Sequence, residues 1–309
     1  MRTTDVVTVI FAAGLSLVNV VFASRISMWW VLLAVNTTFT VALVLTAYLD
    51  GTRSSKLLRV VHDWYVIPII FFGFKEVYFM GYPIHGQDYD YLLIRIDHAL
   101  LGVNPTQWLA QFAHPFLTEI LQVAYFSYYF ILVAVGFELY RRRNFEVFQY
   151  AVCLFAYGFY LSYVGYFLLP AVGPRFLLHD FHALDSDLPG LYVTNFLRTI
   201  INAGESITPG AGSALELAQR DVFPSGHTML SLIAIFLSFK HRLKVRWWIL
   251  TFGVLLIVST VYLRYHYVID IVAGIVWWAV CIWSAPRIHA WWTSKQAKLR
   301  QAESLSEGA

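Results

Sequence analysis

Long apolar segments constrain the fold of this chain more than any other feature of its sequence. A helix needs about 20 mostly apolar residues to cross the hydrocarbon core of a bilayer. Eight segments have this character: residues 5–24, 28–49, 64–82, 115–139, 147–169, 224–239, 247–263 and 267–285. The sixth segment is short, and the third carries Lys75 and Glu76. The pattern predicts an all-α integral membrane protein with about eight transmembrane helices.

The composition excludes the main soluble classes. Charged residues make up 13% of the 309 residues, whereas soluble domains carry about 25%. This charge density is too low for a soluble enzyme or a disordered chain. Cys153 and Cys281 lie inside apolar segments, which favours buried thiols over a secreted disulfide scaffold. A net charge of +3 is too small to indicate a nucleic-acid partner.

The 22 Lys and Arg residues are distributed unevenly between alternate loops. Most of them lie at the N-terminus, near residues 50–63, 141–143 and 240–246, and in the C-terminal tail. Because cytoplasmic loops of membrane proteins carry an excess of these residues, we expect both termini to be cytoplasmic. The loops at 83–114, 170–223 and 264–266 would then face outward. Short tails and compact loops favour a bacterial inner membrane.

The predicted outward loop at 170–223 is far longer than a usual connection, and loops of this length tend to be functional or disordered. Several apolar residues in its middle predict a helix that lies on the membrane surface. They are Leu191, Phe196, Leu197, Ile200 and Ile201.

This loop ends in the sequence Pro-Ser-Gly-His at residues 224–227, directly before an apolar segment. Proline suits the first turn of a helix, and the unpaired N–H groups at a helix N-terminus form an anion site. The Ser225 hydroxyl and the His227 imidazole could therefore contact a bound phosphate. The alternative is an ordinary capped helix start with an incidental histidine.

The next outward turn contains His266 and Asp270, which are spaced i, i+4 and so share one face if a helix begins here. An aspartate in this position accepts the N–H of one imidazole nitrogen and leaves the other nitrogen nucleophilic. The alternative is a His–Asp hydrogen bond that merely closes a helix end. Ionisable groups at a bilayer are usually functional, and two histidine motifs at one membrane face favour a catalytic site.

The Pro-Ser-Gly-His sequence at 224–227, followed by His266-x-x-x-Asp270, resembles the type 2 phosphatidic acid phosphatase superfamily of membrane lipid phosphatases and phosphotransferases. The resemblance implies a six-helix catalytic core at residues 64–285. Residues 1–63 would then add two transmembrane helices and a cytoplasmic loop, and residues 286–309 a polar cytoplasmic tail. It also implies a phosphorylated lipid substrate and neither a metal ion nor a cofactor.

The resemblance assigns a role to each motif residue. His266 is the nucleophile that forms a phosphohistidine, and Asp270 orients it. His227 is the general acid that protonates the leaving oxygen. Ser225 and the Gly226 N–H would hold phosphoryl oxygens, which is the electrostatic part of the catalysis.

Two cations of the family pattern are missing. The first motif of the family places a lysine seven residues before its arginine, and here these positions hold Leu168 and Arg175. The family's third motif opens with Ser-Arg, and here residues 259–260 are Ser-Thr. We therefore expect Arg175 to bind phosphate and consider Arg264 a substitute for the second cation. Lys75 is a further candidate, although we favour a buried pair with a carboxylate.

These departures are similar to the inositol phosphorylceramide synthase branch, which also lacks the third-motif arginine. Residues 97–105 and 173–175 are similar to bacterial-type members of that branch. The resemblance implies a phosphotransferase with inositol or a ceramide-like lipid as acceptor. Water as acceptor would instead make the protein a lipid phosphate phosphatase, and both remain open, as does the oligomeric state.

A transporter or channel is the alternative from another class, with Lys75 and Glu76 as charges on a pathway. Inverted repeats would indicate it, and the sequence shows no repeat. An inactive relative without first-motif chemistry is disfavoured because His227, His266 and Asp270 are retained. The remaining outward or interfacial histidines show no metal-ligand spacing; they are His85, His98, His114, His179 and His182.

Overall fold

The structure is a computed structural model that describes residues 1–53, 55–207 and 213–307. These residues form sixteen α-helices and two short 3-10 turns, and they contain no β-strand. The helices are α1 (Thr3–Val21), α2 (Trp29–Thr52), α3 (Lys56–Trp64), α4 (Val66–His85), α5 (Asp90–Leu101), α6 (Pro105–Leu109), α7 (Pro115–Phe126), α8 (Tyr128–Arg141), α9 (Phe145–Leu168), α10 (Pro174–Leu177), α11 (Leu184–Asp187), α12 (Thr194–Gly204), α13 (Ala214–Leu217), α14 (Gly226–Lys240), α15 (Arg246–Tyr262) and α16 (Val268–Glu307).

Each of the eight apolar segments coincides with one helix or one pair of helices. By length and hydropathy, five described stretches could cross a membrane: α1, α2, α3–α4, α9 and the part of α16 up to Leu299. The pair α7–α8, which is bent by 46° at Ser127, could form a sixth span, and α14 and α15 are shorter apolar helices. The all-α membrane architecture is therefore confirmed. The count of eight spans and the cytoplasmic termini stay predictions.

The predicted polar C-terminal tail is helical in its described part. Helix α16 does not end near residue 285 but continues to Glu307, and residues 308–309 lie outside the described residues. The extension is rich in Ala, Lys, Gln, Arg and Glu, which have high helix propensity. A polar composition therefore does not end this helix. The segment after α2 is likewise helical, as α3.

Helix α9 lies at the centre of the bundle and packs against α1, α4, α8, α14 and α16. Its tyrosines Tyr160, Tyr163 and Tyr166 are buried in the main hydrophobic core, and the Tyr163 hydroxyl donates to the Ile70 carbonyl over 2.8 Å. Helices α14 and α16 are in close contact near their starts. A Cβ on Gly274 would lie only 2.7 Å from the Ser225 carbonyl oxygen. This approach brings the two histidine motifs together.

The long loop at 170–223 folds over one end of the bundle, with residues 208–212 outside the described residues. Glu119 of α7 holds the start of α12, since it accepts from the Leu191 and Val193 N–H groups over 2.9 and 2.8 Å. The predicted helix in this loop is α12, which exposes Phe196 and Ile200 and buries Leu197. Its position on a membrane surface stays a prediction.

Candidate active site

A sharp turn at the end of α15 places His266. The Tyr265 N–H donates to the Thr260 carbonyl over 2.9 Å, and the Arg264 N–H donates to Val261 over 3.0 Å. This pair of bonds is a Schellman motif, which needs a left-handed residue after the helix cap. Arg264 supplies it with a φ of 68°. The chain therefore reverses within three residues and enters α16.

Two buried carboxylates of α5 fix the turn from outside. Asp97 accepts from the Val268 and Ile269 N–H groups over 2.8 and 2.7 Å, which satisfies the free amides at the start of α16. Asp90 accepts from the Tyr267 hydroxyl over 2.9 Å and from the Gly173 N–H over 2.8 Å. It thus ties the His266 turn to the loop that carries Arg175.

The two motif histidines and the aspartate lie in a row. His266 Nε2 is 3.3 Å from His227 Nδ1, and His266 Nδ1 is 3.4 Å from Asp270 Oδ2. The Tyr267 N–H donates to Asp270 Oδ2 over 2.7 Å. Within the described part of the chain, His266 Nδ1 and Asp270 Oδ1 have no hydrogen-bond partner, so the 3.4 Å contact is close but not aligned. Small rotations would complete the bond.

Tyrosine rings surround His227. The Tyr125 ring stacks on the imidazole with centroids 4.7 Å apart, and the Tyr128 ring lies 4.4 Å away. Tyr125 also stacks on Tyr265 at 4.3 Å. These contacts hold the imidazole at the N-terminus of α14 and shield it from water.

Ser225 and Gly226 form the first turn of α14. Ser225 is fully buried, and its Oγ accepts from the Thr228 N–H over 3.2 Å and from the Thr228 hydroxyl over 3.0 Å. Both lone pairs are thus used, and the Ser225 O–H remains free to donate to an anion. The Tyr166 hydroxyl lies directly against Gly226, in the space that a Cβ would fill.

Arg175 reaches the site on α10, which packs against the His266 turn. Gly173 has a φ of 100°, and a Cβ there would lie 2.8 Å from the Tyr265 carbonyl oxygen. The close approach lets the Arg175 N–H donate to the Arg264 carbonyl over 3.0 Å. The buried guanidinium lies 4.7 Å from the centre of the Tyr265 ring and pairs with the Glu205 carboxylate.

The structure brings six of the seven predicted site residues to this end of the bundle as one group; they are Arg175, Ser225, Gly226, His227, His266 and Asp270. The seventh, Arg264, stands in the same turn, but its guanidinium pairs with Asp187 of the outer loop over 2.7 Å. Its side chain thus anchors the loop.

Burial controls the protonation of the groups between the helices. It lowers the pKa of His266 well below 6.5, and the charges of His227 and Arg175 add to this effect, while the polar Val222 backbone opposes it. His266 is therefore neutral at physiological pH. Burial and the negative charge of Glu205 raise the pKa of Asp221 to about 7, against the charge of Arg175.

Among the described residues Lys75 forms no ion pair with a carboxylate, in contrast to the sequence-based expectation. Its Nζ donates to the Gly204 carbonyl over 2.6 Å and to the Ser206 hydroxyl over 2.8 Å, at the end of α12. The neighbouring Glu76 instead accepts from the Asn19 and Asn36 side-chain amides over 2.8 and 2.6 Å, inside the bundle. Lys75 therefore contacts the outer loop, whereas Glu76 is held between two asparagines inside the bundle.

An apolar groove with a cavity volume of about 130 Å³ opens between α4, α8 and α9. Phe71 and Tyr129 face each other across it with ring centroids 5.3 Å apart. Phe159 lines the groove and contacts Tyr128, which in turn contacts His227. The groove wall is therefore two ring contacts away from the histidine pair.

Sequence reasoning missed several residues that build the site. Asp90 was one polar residue among many in an outward loop, and nothing in its spacing marked it. Tyr125 and Tyr128 lie in an apolar segment, where an aromatic residue is usual. Glu205 directly follows α12 within the outer loop and belongs to no sequence motif.

Among the described residues, no three or more His, Cys, Asp or Glu side chains are arranged to hold a metal ion. Metal-independent chemistry stays a prediction, because it was implied by the resemblance alone.

A family profile described as the PAP2 superfamily matches residues 92–284, which is more than half of the chain. The chain belongs to the PAP2 superfamily. The matched range contains all seven predicted site residues. Superfamily membership suggests phosphatase-type lipid phosphate chemistry.

A PA-phosphatase related-family protein of Dictyostelium discoideum is 27% identical over 203 residues. The match covers 60% of this PAP2 chain and 34% of that relative, so the chain corresponds to only about a third of its length. No solved structure matches the chain.

Proposed function

We propose that this protein is a membrane enzyme that cleaves a lipid phosphate ester through a phosphohistidine on His266. The observation that carries the proposal is the row of side chains in which His266 Nε2 is 3.3 Å from His227 and Nδ1 is 3.4 Å from Asp270. A nucleophile, its orienting carboxylate and a proton donor are the parts that this reaction needs.

In the first step, the Asp270 carboxylate holds the Nδ1 proton, and the lone pair of neutral His266 Nε2 attacks phosphorus. The bond between phosphorus and the leaving oxygen breaks, and that oxygen takes a proton from His227. In the second step, an acceptor hydroxyl gives its proton back to His227 and attacks phosphorus. The N–P bond then breaks, and His266 is free again. This scheme requires no metal ion.

The phosphoryl oxygens would be held by Arg175, the free O–H of Ser225 and the Gly226 N–H. The dipole of α14 adds to this stabilisation, because the phosphate lies at its positive end. Arg264 would join only after it leaves Asp187, so its role in the resting structure is to anchor the outer loop.

The substrate would be a phosphorylated lipid whose hydrocarbon chain lies in the groove between α4, α8 and α9. The apolar lining and the ring contacts toward His227 support this placement. We take residues 64–285 as the catalytic six-helix core within an eight-span chain with cytoplasmic termini. The site would then face the extracytoplasmic side, in a bacterial inner membrane.

We favour transfer to an alcohol over hydrolysis. The support is the resemblance to the inositol phosphorylceramide synthase branch, in which the acceptor is inositol or a ceramide-like lipid. Asp97, which belongs to the stretch that is similar to this branch, holds the start of α16 in place. The phosphatase reaction with water as acceptor would use the same residues.

The test uses purified protein in detergent with a panel of phospholipids and lipid phosphates, with and without inositol. Free phosphate and new lipid phosphodiesters are measured separately, and phosphoenzyme is trapped by acid quenching with radiolabelled substrate. We expect the substitution His266→Ala to abolish turnover and phosphoenzyme, a loss of at least about 10³-fold. The matched control is His98→Ala, which removes an exposed histidine on the same face.

A new phosphodiester would support the transferase, and free phosphate alone would support the phosphatase. Wild-type turnover by His266→Ala protein would contradict the mechanism. Movement of a lipid or ion across proteoliposomes without phosphate release would favour the transporter.

A further inference from the structure

Lys75 brings a positive charge from a membrane helix to the outer loop. It lies on α4, and both of its hydrogen-bond partners, the Gly204 carbonyl and the Ser206 hydroxyl, are neutral. In the described ranges Lys75 forms no ion pair. Six arginines of the same ranges do form one; they are Arg2, Arg142, Arg175, Arg198, Arg220 and Arg264. Asp221 and Glu205 interact with its charge without forming an ion pair with it, and a charged residue on a membrane helix is costly, so it usually marks a functional site.

Arg175 approaches the same short segment from the other side. Its guanidinium pairs with Glu205 and donates to Asn202 Oδ1 over 3.3 Å. Two cations from separate helices therefore converge on residues 204–206. The charges of Arg175 and Lys75 both act on Asp221, which places the four groups in one electrostatic cluster.

A cation at the first-motif position, residue 168, would not bind a phosphate together with Arg175. Leu168, seven residues before Arg175, is the last residue of α9, and 56% of its side chain is exposed on the outside of the bundle. A cation at this position would extend away from the enclosed guanidinium. Lys75 is the lysine that already shares a contact segment with Arg175.

We infer that Lys75 is the second phosphate-binding cation of this protein, and that the Glu205 carboxylate occupies the phosphate position until substrate enters. The inference rests on the proposed function only for the identity of the anion as a lipid phosphate. A carboxylate and a phosphate offer a guanidinium the same paired oxygens, so Glu205 fits Arg175 as a substitute for substrate. A phosphate with more charge would displace it and take the Lys75 ammonium from its two neutral partners.

The test measures anion binding without turnover. Protein carrying His266→Ala, which cannot be phosphorylated, is titrated in detergent with inorganic phosphate at constant ionic strength, and the rise in melting temperature gives the affinity. Into this background are introduced Lys75→Met, Lys75→Arg and Glu205→Gln. The matched control is Arg95→Met, which removes an exposed cation from the same face.

We expect Lys75→Met to weaken phosphate binding about tenfold or more, because a charge-assisted hydrogen bond is lost. Lys75→Arg should restore binding to within about threefold, and Arg95→Met should leave it unchanged. Glu205→Gln should strengthen it, because the competing charge is gone. This variant keeps both hydrogen-bond partners of Lys75, and together with Lys75→Arg it keeps the inference testable if Lys75→Met does not fold.

Phosphate affinity that is unchanged in Lys75→Met, or unchanged or weaker in Glu205→Gln, would overturn the inference. The proposed function would be unaffected by that result if His266→Ala still abolishes turnover in the otherwise native protein. Conversely, Lys75-dependent phosphate binding without lipid turnover by the native protein would contradict the proposed function and leave the anion site intact.

Discussion

Two histidine clusters lie at opposite ends of the first half of α16, from Val268 to His289, which contacts Thr3 of α1 beside the second cluster; they are about 30 Å apart at 1.5 Å per residue. At the far end, both nitrogens of His62 have carboxylate partners: Nδ1 is 2.8 Å from Asp50 and Nε2 is 3.1 Å from Asp5. At the outer end, His266 Nδ1 lies near Asp270 without an aligned bond, and Nε2 lies 3.3 Å from the His227 imidazole.

The difference separates a structural cluster from a reactive one. The Asp5 carboxylate also accepts from the Arg2 N–H over 2.6 Å and the Tyr65 hydroxyl over 3.0 Å, so it is saturated. Saturated buried networks rigidify a fold. Asp270 keeps one oxygen without a partner among the described residues. Such an unsatisfied group is expected where a substrate completes the network.

The sharpest test of this comparison is Asp270→Asn. The neutral amide cannot stabilise the positive charge that His266 gains when its Nε2 bonds to phosphorus, so we expect kcat to fall about 10³–10⁴-fold. The melting temperature should change little, because the amide oxygen can still accept from the Tyr267 N–H. The control is Asp5→Asn, which should leave kcat within about twofold. Similar losses of kcat in both variants would remove the distinction between the clusters.

The reverse pattern is expected for His62→Ala. The substitution leaves Asp5 and Asp50 without their imidazole partner, and each unsatisfied buried group costs about 1–3 kcal/mol. We expect the melting temperature in detergent to fall by several degrees, whereas kcat per folded molecule stays near the wild-type value. A large drop in kcat without a change in melting temperature would assign the far cluster a catalytic role.

The fold was largely readable from the sequence because bilayer thickness fixes helix length. All eight apolar segments are helical, and the errors lie where hydropathy carries no information. The break at Ser127 within the fourth segment has no proline or glycine to mark it. The continuation of α16 beyond residue 285 follows from helix propensity, which a search for apolar runs does not measure.

The site was predictable where one short motif carries the geometry, as in the i, i+4 pair of His266 and Asp270. It was not predictable where contacts join distant parts of the chain. Lys75 meets the end of α12, 129 residues later, and its partners are neutral rather than acidic. Glu205, which directly follows α12, forms an ion pair with Arg175. Only the folded structure shows that the outer loop places carboxylates on both candidate arginines.

The smallest expected effect concerns Asp221, which lies near the charges of Arg175 and Glu205. Its raised pKa of about 7 means that the carboxyl is mostly protonated below pH 7 and ionised above it. Ionised Asp221 repels a phosphate, so KM for a lipid phosphate should rise several-fold as the pH increases from 6 to 8. Asp221→Asn removes this group, and its KM should rise less over the same range.

Titration of the substrate itself does not confuse this comparison, because the lipid phosphate loses the same proton in both proteins. The informative quantity is therefore the ratio of KM between wild type and Asp221→Asn at each pH. We expect a ratio near one at pH 6 that grows to about three to tenfold at pH 8, since a single carboxylate charge is added. A constant ratio would mean that Asp221 does not ionise in this range. A ratio that falls with pH would mean that the Asp221 charge assists phosphate binding, which would contradict the prediction.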